Sequence, residues 1–128
     1  MIPTVKAKLL EGKRGLIVGI ANDQSIAWGC AKAFRAFGAE LAVTYLNEKA
    51  KKYVEPLARE LEAPIVMPLD VNAPGQMETV FERITKDWGK LDFLVHSIAF
   101  SPKDALQGRV VDVSREGFLT TMDVSCWT

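Results

Sequence analysis

Leu16-Ile17-Val18-Gly19-Ile20-Ala21-Asn22-Asp23-Gln24-Ser25-Ile26-Ala27-Trp28-Gly29 reads as a strand that turns directly into a helix. The aliphatic run Leu16 to Ile20 is rich in β-branched residues, a polar stretch follows, and from Ile26 onward the apolar residues recur at helical spacing. Such a turn sets the free N–H groups and positive dipole end of a helix beside the carboxyl end of a strand, a ready anion site. Gly19 lets the backbone turn tightly with no Cβ in the way, and Ser25 adds a hydroxyl at the same spot. The stretch departs from G-x-G-x-x-G, because Ala21 stands at the second glycine position and the third glycine comes late, at Gly29. By itself it also fits a plainer reading: a glycine turn, an ordinary N-cap at Ser25, and Gly29 allowing close packing of helix on sheet.

Working outward, three more apolar runs follow at a pitch of about 25 residues: Leu41 to Tyr45, Ile65 to Val71 and Leu91 to Ile98. Between the runs the period becomes helical. Ile26, Cys30, Ala33, Phe34 and Phe37 fall on one helix face, as do Met77, Val80, Phe81, Ile84 and Trp88, with Gly38 and Gly89 as stops. Asn47 to Leu61 places Ala50, Tyr53, Val54, Leu57, Ala58 and Leu61 on one side, and Pro56 is expected to kink that helix or start a new one. Alternating strands and helices build linked βαβ units with right-handed crossovers, hence an α/β doubly wound parallel sheet. The expected strand order is 3-2-1-4. Pro68 suits it, since a proline cannot donate to a ladder and falls in the run placed at the edge. Ser114 reads as the N-cap of a last helix, with Val113 and Phe118 placed for a hydrophobic staple. The chain is expected to stop at Thr128 within an element, after four of the six strands of the full fold, so that residues 1–128 form the first part of a single dinucleotide-binding domain.

Composition narrows the function. The chain has 128 residues, 16 basic and 16 acidic side chains and zero formal net charge. No basic cluster stands without acidic neighbours, which argues against nucleic-acid or anionic-membrane binding. No window approaches the ~20 apolar residues of a membrane span, and Met1 to Leu10 lacks the apolar stretch of a signal peptide. Cys30 and Cys126 are too far apart in sequence for a C-x-x-C pair, and His96 is the only histidine, so a metal site is not expected and a reducing, cytoplasmic setting is.

The strand ends supply the remaining candidates. After the second strand, Tyr45, Leu46 and Asn47 precede the first acid, Glu48, where an acidic residue ordinarily takes the adenosine ribose hydroxyls. An arginine to hold a 2′-phosphate is equally missing, which leans the cofactor toward NAD, with Lys49 keeping NADP in play. Asp70 and Val71 end the third run. A carboxylate there can accept from an adenine amino group or cap the turn into Asn72-Ala73-Pro74, and both readings stand. His96-Ser97-Ile98-Ala99 ends the fourth run with small residues that leave room for a flat ring; His96 itself reads as a hydrogen-bonded core residue before it reads as a general base.

With the Gly19 to Gly29 loop, Asp70-Val71 and His96-Ser97-Ile98-Ala99 all in place, the sequence resembles the NADH-dependent enoyl-[acyl-carrier-protein] reductases of bacterial type II fatty-acid synthesis, a divergent branch of the short-chain dehydrogenases with a Rossmann-like fold. The likeness covers nearly the whole chain. Its most specific parts are Ser25-Ile26-Ala27-Trp28-Gly29 and Ser97-Ile98-Ala99, which stands where other short-chain dehydrogenases have Asn-Ala-Gly. The resemblance implies that Gly19, Ser25 and Ile26 hold the pyrophosphate side of NADH, Asp70 and Val71 the adenine, Leu46 the adenosine, and Ile98 the nicotinamide end. Phe100 and Ser101 would line the acyl pocket. It implies hydride transfer from NADH to the β-carbon of a trans-2-enoyl thioester carried by an acyl-carrier protein, in an enzyme that is a homo-oligomer at full length. The family's catalytic Tyr and Lys are expected downstream of Thr128, which leaves residues 1–128 alone inactive. Tyr45, with Lys49 and Lys52 nearby, mimics that pair in spacing but ends the second strand, on the adenosine side. Two alternatives stay open: another short-chain carbonyl reductase, and a non-catalytic nucleotide-binding module.

Overall fold

Val, Ile and Leu dominate the strands because a parallel strand is covered on both faces. In the computed structural model, which describes residues 1–4 and 7–128, they form β1 (Arg14–Val18), β2 (Glu40–Tyr45), β3 (Ile65–Pro68) and β4 (Phe93–His96), linked by α1 (Ile26–Ala36), α2 (Glu48–Glu60) and α3 (Gln76–Trp88). All pairings are parallel and the order is β3-β2-β1-β4, as the sequence predicts. Leu16 pairs with Ala42 on one side and Leu94 on the other, and Pro68 sits opposite Tyr45 on the edge strand.

Strand parity divides the core. Ile17, Leu41, Val43 and Tyr45 share a cluster with Ala27, Trp28 and Ala31 of α1 and Val54 and Ala58 of α2. Leu16, Val18 and Ala42, of opposite parity, are buried too, as are Val80, Ile84 and Trp88 of α3. Right-handed crossovers in this strand order put α1 and α2 on one face and α3 on the other.

Several expectations need correction. The inward face of α1 is Ala27, Trp28 and Ala31, while Ile26 is 82% exposed. Small alanines let the helix lie close to the sheet beside the buried Trp28, while Phe34 packs partly buried against the same cluster. Gly29 is exposed, with nothing within 4 Å of where a Cβ would sit, so it serves no close packing. Pro56 starts no new helix: α2 is a single element with the proline inside it, and Tyr53 is exposed rather than inward. β3 ends at Pro68, so Asp70 and Val71 lie in the following loop, although Leu69 still donates to the Tyr45 carbonyl at 2.8 Å. β4 ends at His96, which is exposed and not a core residue.

The chain divides into two compact units, Met1–Ser97 and Ile98–Thr128. The second unit has turns of 3-10 helix at Asp104–Leu106 and Val110–Asp112, then α4 (Arg115–Met122) continued by a π-helical turn, Asp123–Trp127. Ser114 is its N-cap, as expected, accepting from the Gly117 N–H at 3.0 Å. Phe118, expected in a staple, is 56% exposed.

Candidate functional site

Parallel strands put all their carboxyl ends on one edge of the sheet, where open α/β folds bind ligands. Gly19, Leu46 and Asp70 follow the carboxyl ends of β1, β2 and β3, so three separate sequence signals converge on that edge. Gly19 has φ 112°, which only glycine adopts without strain. A Cβ there would lie 2.5 Å from the carbonyl carbon of Ser97 and nearer still to its oxygen. The Ser97 N–H in turn donates to the Val18 carbonyl at 2.9 Å. The close approach that demands glycine is therefore made by the chain's own backbone.

Ser25 is the N-cap of α1 by backbone conformation, and its carbonyl accepts from Trp28 and Gly29 at 3.0 and 3.2 Å. Its hydroxyl does not cap the helix. It turns back into the loop and accepts from the N–H groups of Ala21 and Asn22 at 3.0 and 3.1 Å. Asn22 reinforces the loop by accepting from the Gln24 N–H at 2.9 Å. Two consequences follow for an anion. The Ser25 proton is used in neither bond, and the Ile26 and Ala27 N–H groups have no acceptor among the described residues. Those donors sit at the positive end of the α1 dipole.

At the end of β2, Leu46 is 55% exposed. Asn47 caps α2 by accepting from Ala50 at 2.9 Å, and Glu48 pairs with Lys51 at 3.7 Å. Tyr45 is buried, with the Lys51 ammonium 5.7 Å from its ring centroid, which removes it from any role at an open site. Beyond β3, the Asp70 N–H donates to Gln76 Oε1 at 2.8 Å, its carbonyl accepts from Ala73 at 2.9 Å, and its Oδ1 accepts from Asn72 at 2.9 Å. One carboxylate oxygen thus makes the turn, and Oδ2 has no partner among the described residues. Val71 beside it is partly exposed.

Ile98, Phe100 and Ser101 belong to the second unit. The Ser125 hydroxyl holds the Phe100 backbone at both ends, accepting from its N–H at 3.0 Å and donating to its carbonyl at 3.1 Å, and leaves the ring 53% exposed. Thr121 Oγ1 lies 2.8 Å from the Gly117 carbonyl and 2.9 Å from Ser101 Oγ. With its single proton on the carbonyl, Thr121 accepts from Ser101, so the Ser101 proton is engaged within the unit. The contacts of Ser125 with Phe100 and of Thr121 with Ser101 carried no sequence signal, because they span 25 and 20 residues.

A carboxylate perturbed by its neighbours lies at the opposite edge of the sheet. Asp92, just before β4, accepts from the Arg14 N–H at 2.8 Å and faces Lys90 at 3.3 Å and Lys13 at 3.8 Å. That N–H above all, helped by the lysines and opposed by desolvation, holds its carboxyl below the ordinary carboxylate value. A cleft of about 320 Å³ opens at the same edge, lined among others by Arg14, Arg35, Glu40 and Glu62. Its charges already pair internally, Arg14 with Glu40 and Arg35 with Glu62.

A four-stranded parallel sheet in this order, with a donor-lined loop at the carboxyl end of β1, defines a Rossmann-type α/β domain. Residues 19–128 match the family described as enoyl-(acyl carrier protein) reductase, and the chain belongs to that family. It is 50% identical over 120 residues to enoyl-[acyl-carrier-protein] reductase [NADH] 1 of Rhizobium meliloti, an alignment covering 94% of this chain and 44% of that protein. With the [NADH] FabI of Aquifex aeolicus it shares 44% identity over 120 residues, again covering 94% of this chain and 44% of the relative. Among solved structures, the reductase of Anaplasma phagocytophilum in complex with NAD superposes with a TM-score of 0.90 at 48% identity, covering 98% of this chain and 48% of that one. The chain thus spans about half the length of the relatives it matches.

Proposed function

We propose that this chain carries the NADH-binding part of an enoyl-[acyl-carrier-protein] reductase of fatty-acid synthesis, within one dinucleotide-binding domain. The observation that supports it most is the loop after β1, where Ser25 gathers two backbone N–H groups and keeps its own proton, in a chain half identical to a relative named for NADH. The Ser25 hydroxyl and the Ile26 and Ala27 N–H groups would donate to the pyrophosphate, with Gly19 keeping the turn tight. Asp70 Oδ2 would accept from the adenine amino group, with Val71 and Leu46 against the adenosine. Ile98 would meet the nicotinamide end. Bound NADH supplies the hydride for the β-carbon of a trans-2-enoyl thioester. Phe100 would cover the acyl chain with its exposed ring, and Ser101, its proton engaged by Thr121, would offer lone pairs rather than a donor.

In this reading the Tyr and Lys that stabilise the reduced thioester come from residues outside this chain. The substrate arrives on an acyl-carrier protein, and the enzyme works in the cytoplasm as a homo-oligomer. NADPH is the weaker ligand, because no arginine follows β2 to hold a 2′-phosphate. Calorimetric titration with NADH and NADPH is the test. NADH should bind more tightly, and Ser25→Ala, which strips the acceptor from Ala21 and Asn22, should weaken it by about 10- to 100-fold. Equal NADH affinity in Ser25→Ala would refute the site.

A further inference from the structure

Among the described residues, Asp70 is the one candidate cofactor contact whose backbone is fixed by a side chain from another element. Gln76, the first residue of α3, accepts the Asp70 N–H at 2.8 Å in a partly buried bond. Gly75 enters the helix in the left-handed conformation, φ 81°, and Gln76 donates its own N–H to Ala73 at 3.3 Å. Asp70 accepts from Ala73 and Asn72 as well, so the loop closes on itself around the carboxylate. Of these bonds, the one from Gln76 alone ties Asp70 to a helix through a side chain. The other bonds lie within the loop and would move with it.

We infer that Gln76 is a positioning residue for adenine recognition: by holding the Asp70 N–H it aims Oδ2 at the purine amino group. This rests on the proposed role of Asp70. A carboxylate recognises an amine only if its oxygen is held in place, since a contact displaced by about 1 Å loses most of its directional energy. An acceptor of this length is required at position 76. Glutamate preserves it, whereas methionine matches the length of the chain but offers no oxygen.

The experiment compares NADH with reduced nicotinamide hypoxanthine dinucleotide, which lacks the amino group, as ligands of the whole chain. The unsubstituted chain should prefer NADH about tenfold. Gln76→Met should lose that preference while its affinity for the hypoxanthine analogue holds, and Gln76→Glu should restore it. A merely structural Gln76 would weaken both ligands together, and that result overturns the inference. So does a Gln76→Met chain that keeps the full preference. If the unsubstituted chain shows no preference, or Asp70→Asn leaves it intact, the role of Asp70 itself fails and takes the inference with it. Should Gln76→Met not fold, exchange of the Asp70 amide hydrogen decides in Gln76→Ser, whose shorter side chain cannot reach. Protection there equal to that in the unsubstituted chain also overturns the inference.

Discussion

Replacing Gly19 and Gly29 separately by alanine should move stability in opposite directions, although both glycines belong to the same loop-and-helix stretch. At Gly19 the backbone has φ 112°, and holding an L-residue in such a region costs about 1–3 kcal/mol. The new Cβ would stand 2.5 Å from the Ser97 carbonyl carbon. Since the obstacle is backbone, the segment leaving β4 must shift and strain the Ser97 to Val18 hydrogen bond, about another 1 kcal/mol. Lower entropy of the unfolded chain returns about 0.4–1 kcal/mol. The balance is a loss of about 2 kcal/mol, a sizeable share of the ~5–15 kcal/mol that holds an ordinary domain. At Gly29 the added methyl meets nothing within 4 Å inside a helix, and alanine gains about 0.8–1 kcal/mol there from propensity. Urea unfolding monitored by circular dichroism should place the Gly19→Ala midpoint about 1.3 M lower, for a slope of ~1.5 kcal/mol per M, and the Gly29→Ala midpoint slightly higher. Two midpoints that both fall by similar amounts would refute the reasoning, because they would make the demand for glycine a property of the whole loop.

Gly15→Ala should cost about 2 kcal/mol by the same urea assay, because its Cβ would lie 2.7 Å from Phe93 Cδ2 and push the ring off its edge-on contact with Phe34, centroids 5.1 Å apart; trimming Phe93 to Leu in the same chain should recover part of it. Asp92→Asn should lower the midpoint at neutral pH by a small amount that shrinks as the solution is acidified. A carboxyl whose folded value is depressed contributes above its unfolded value and loses that contribution as pH falls through the folded one, so the gap between the two curves should start to narrow near pH 3.8 and close at lower pH, and a gap that stays constant through that fall would contradict the assignment. The chain alone should bind NADH without oxidising it in the presence of crotonyl-CoA, with no loss of NADH absorbance, because each missing donor at the thioester oxygen costs on the order of 10²- to 10³-fold in rate.

Which parts of the fold could be read in advance depended on how local their causes were. The strand runs, the helix stop at Gly89, the N-cap at Ser114 and the edge position of Pro68 all follow from a residue's own chemistry or from a short period. The inward face of α1 does not. Periodicity gives most weight to large apolar residues, which points to Ile26 and Phe37, but what touches the sheet is set by how near the helix axis can come. Ala27 and Ala31, both fully buried, permit the closest approach. The ends of β3 and β4 were overrun for a related reason. Leu69 is apolar, buried and hydrogen-bonded to Tyr45 although it lies past the strand, so composition continues where the ladder has stopped.

The candidate site shows the same limit at the level of single protons. Ser25 and Ser101 are both serines in short polar stretches, and sequence offers no reason to give them different chemistry. Ser25 accepts from two neighbouring N–H groups, a local arrangement made by residues three and four positions away, and this leaves its proton to donate. Ser101 faces Thr121, a residue 20 positions on, whose own proton goes to the carbonyl of the preceding helical turn. Ser101 must then supply the proton between them. One hydroxyl therefore keeps a proton to donate and the other offers lone pairs, a distinction fixed by which oxygen has already taken its proton from elsewhere. In the proposed site a polyanionic cofactor would meet the hydroxyl after β1, which adds its proton to the positive end of α1 beside the Ile26 and Ala27 N–H groups.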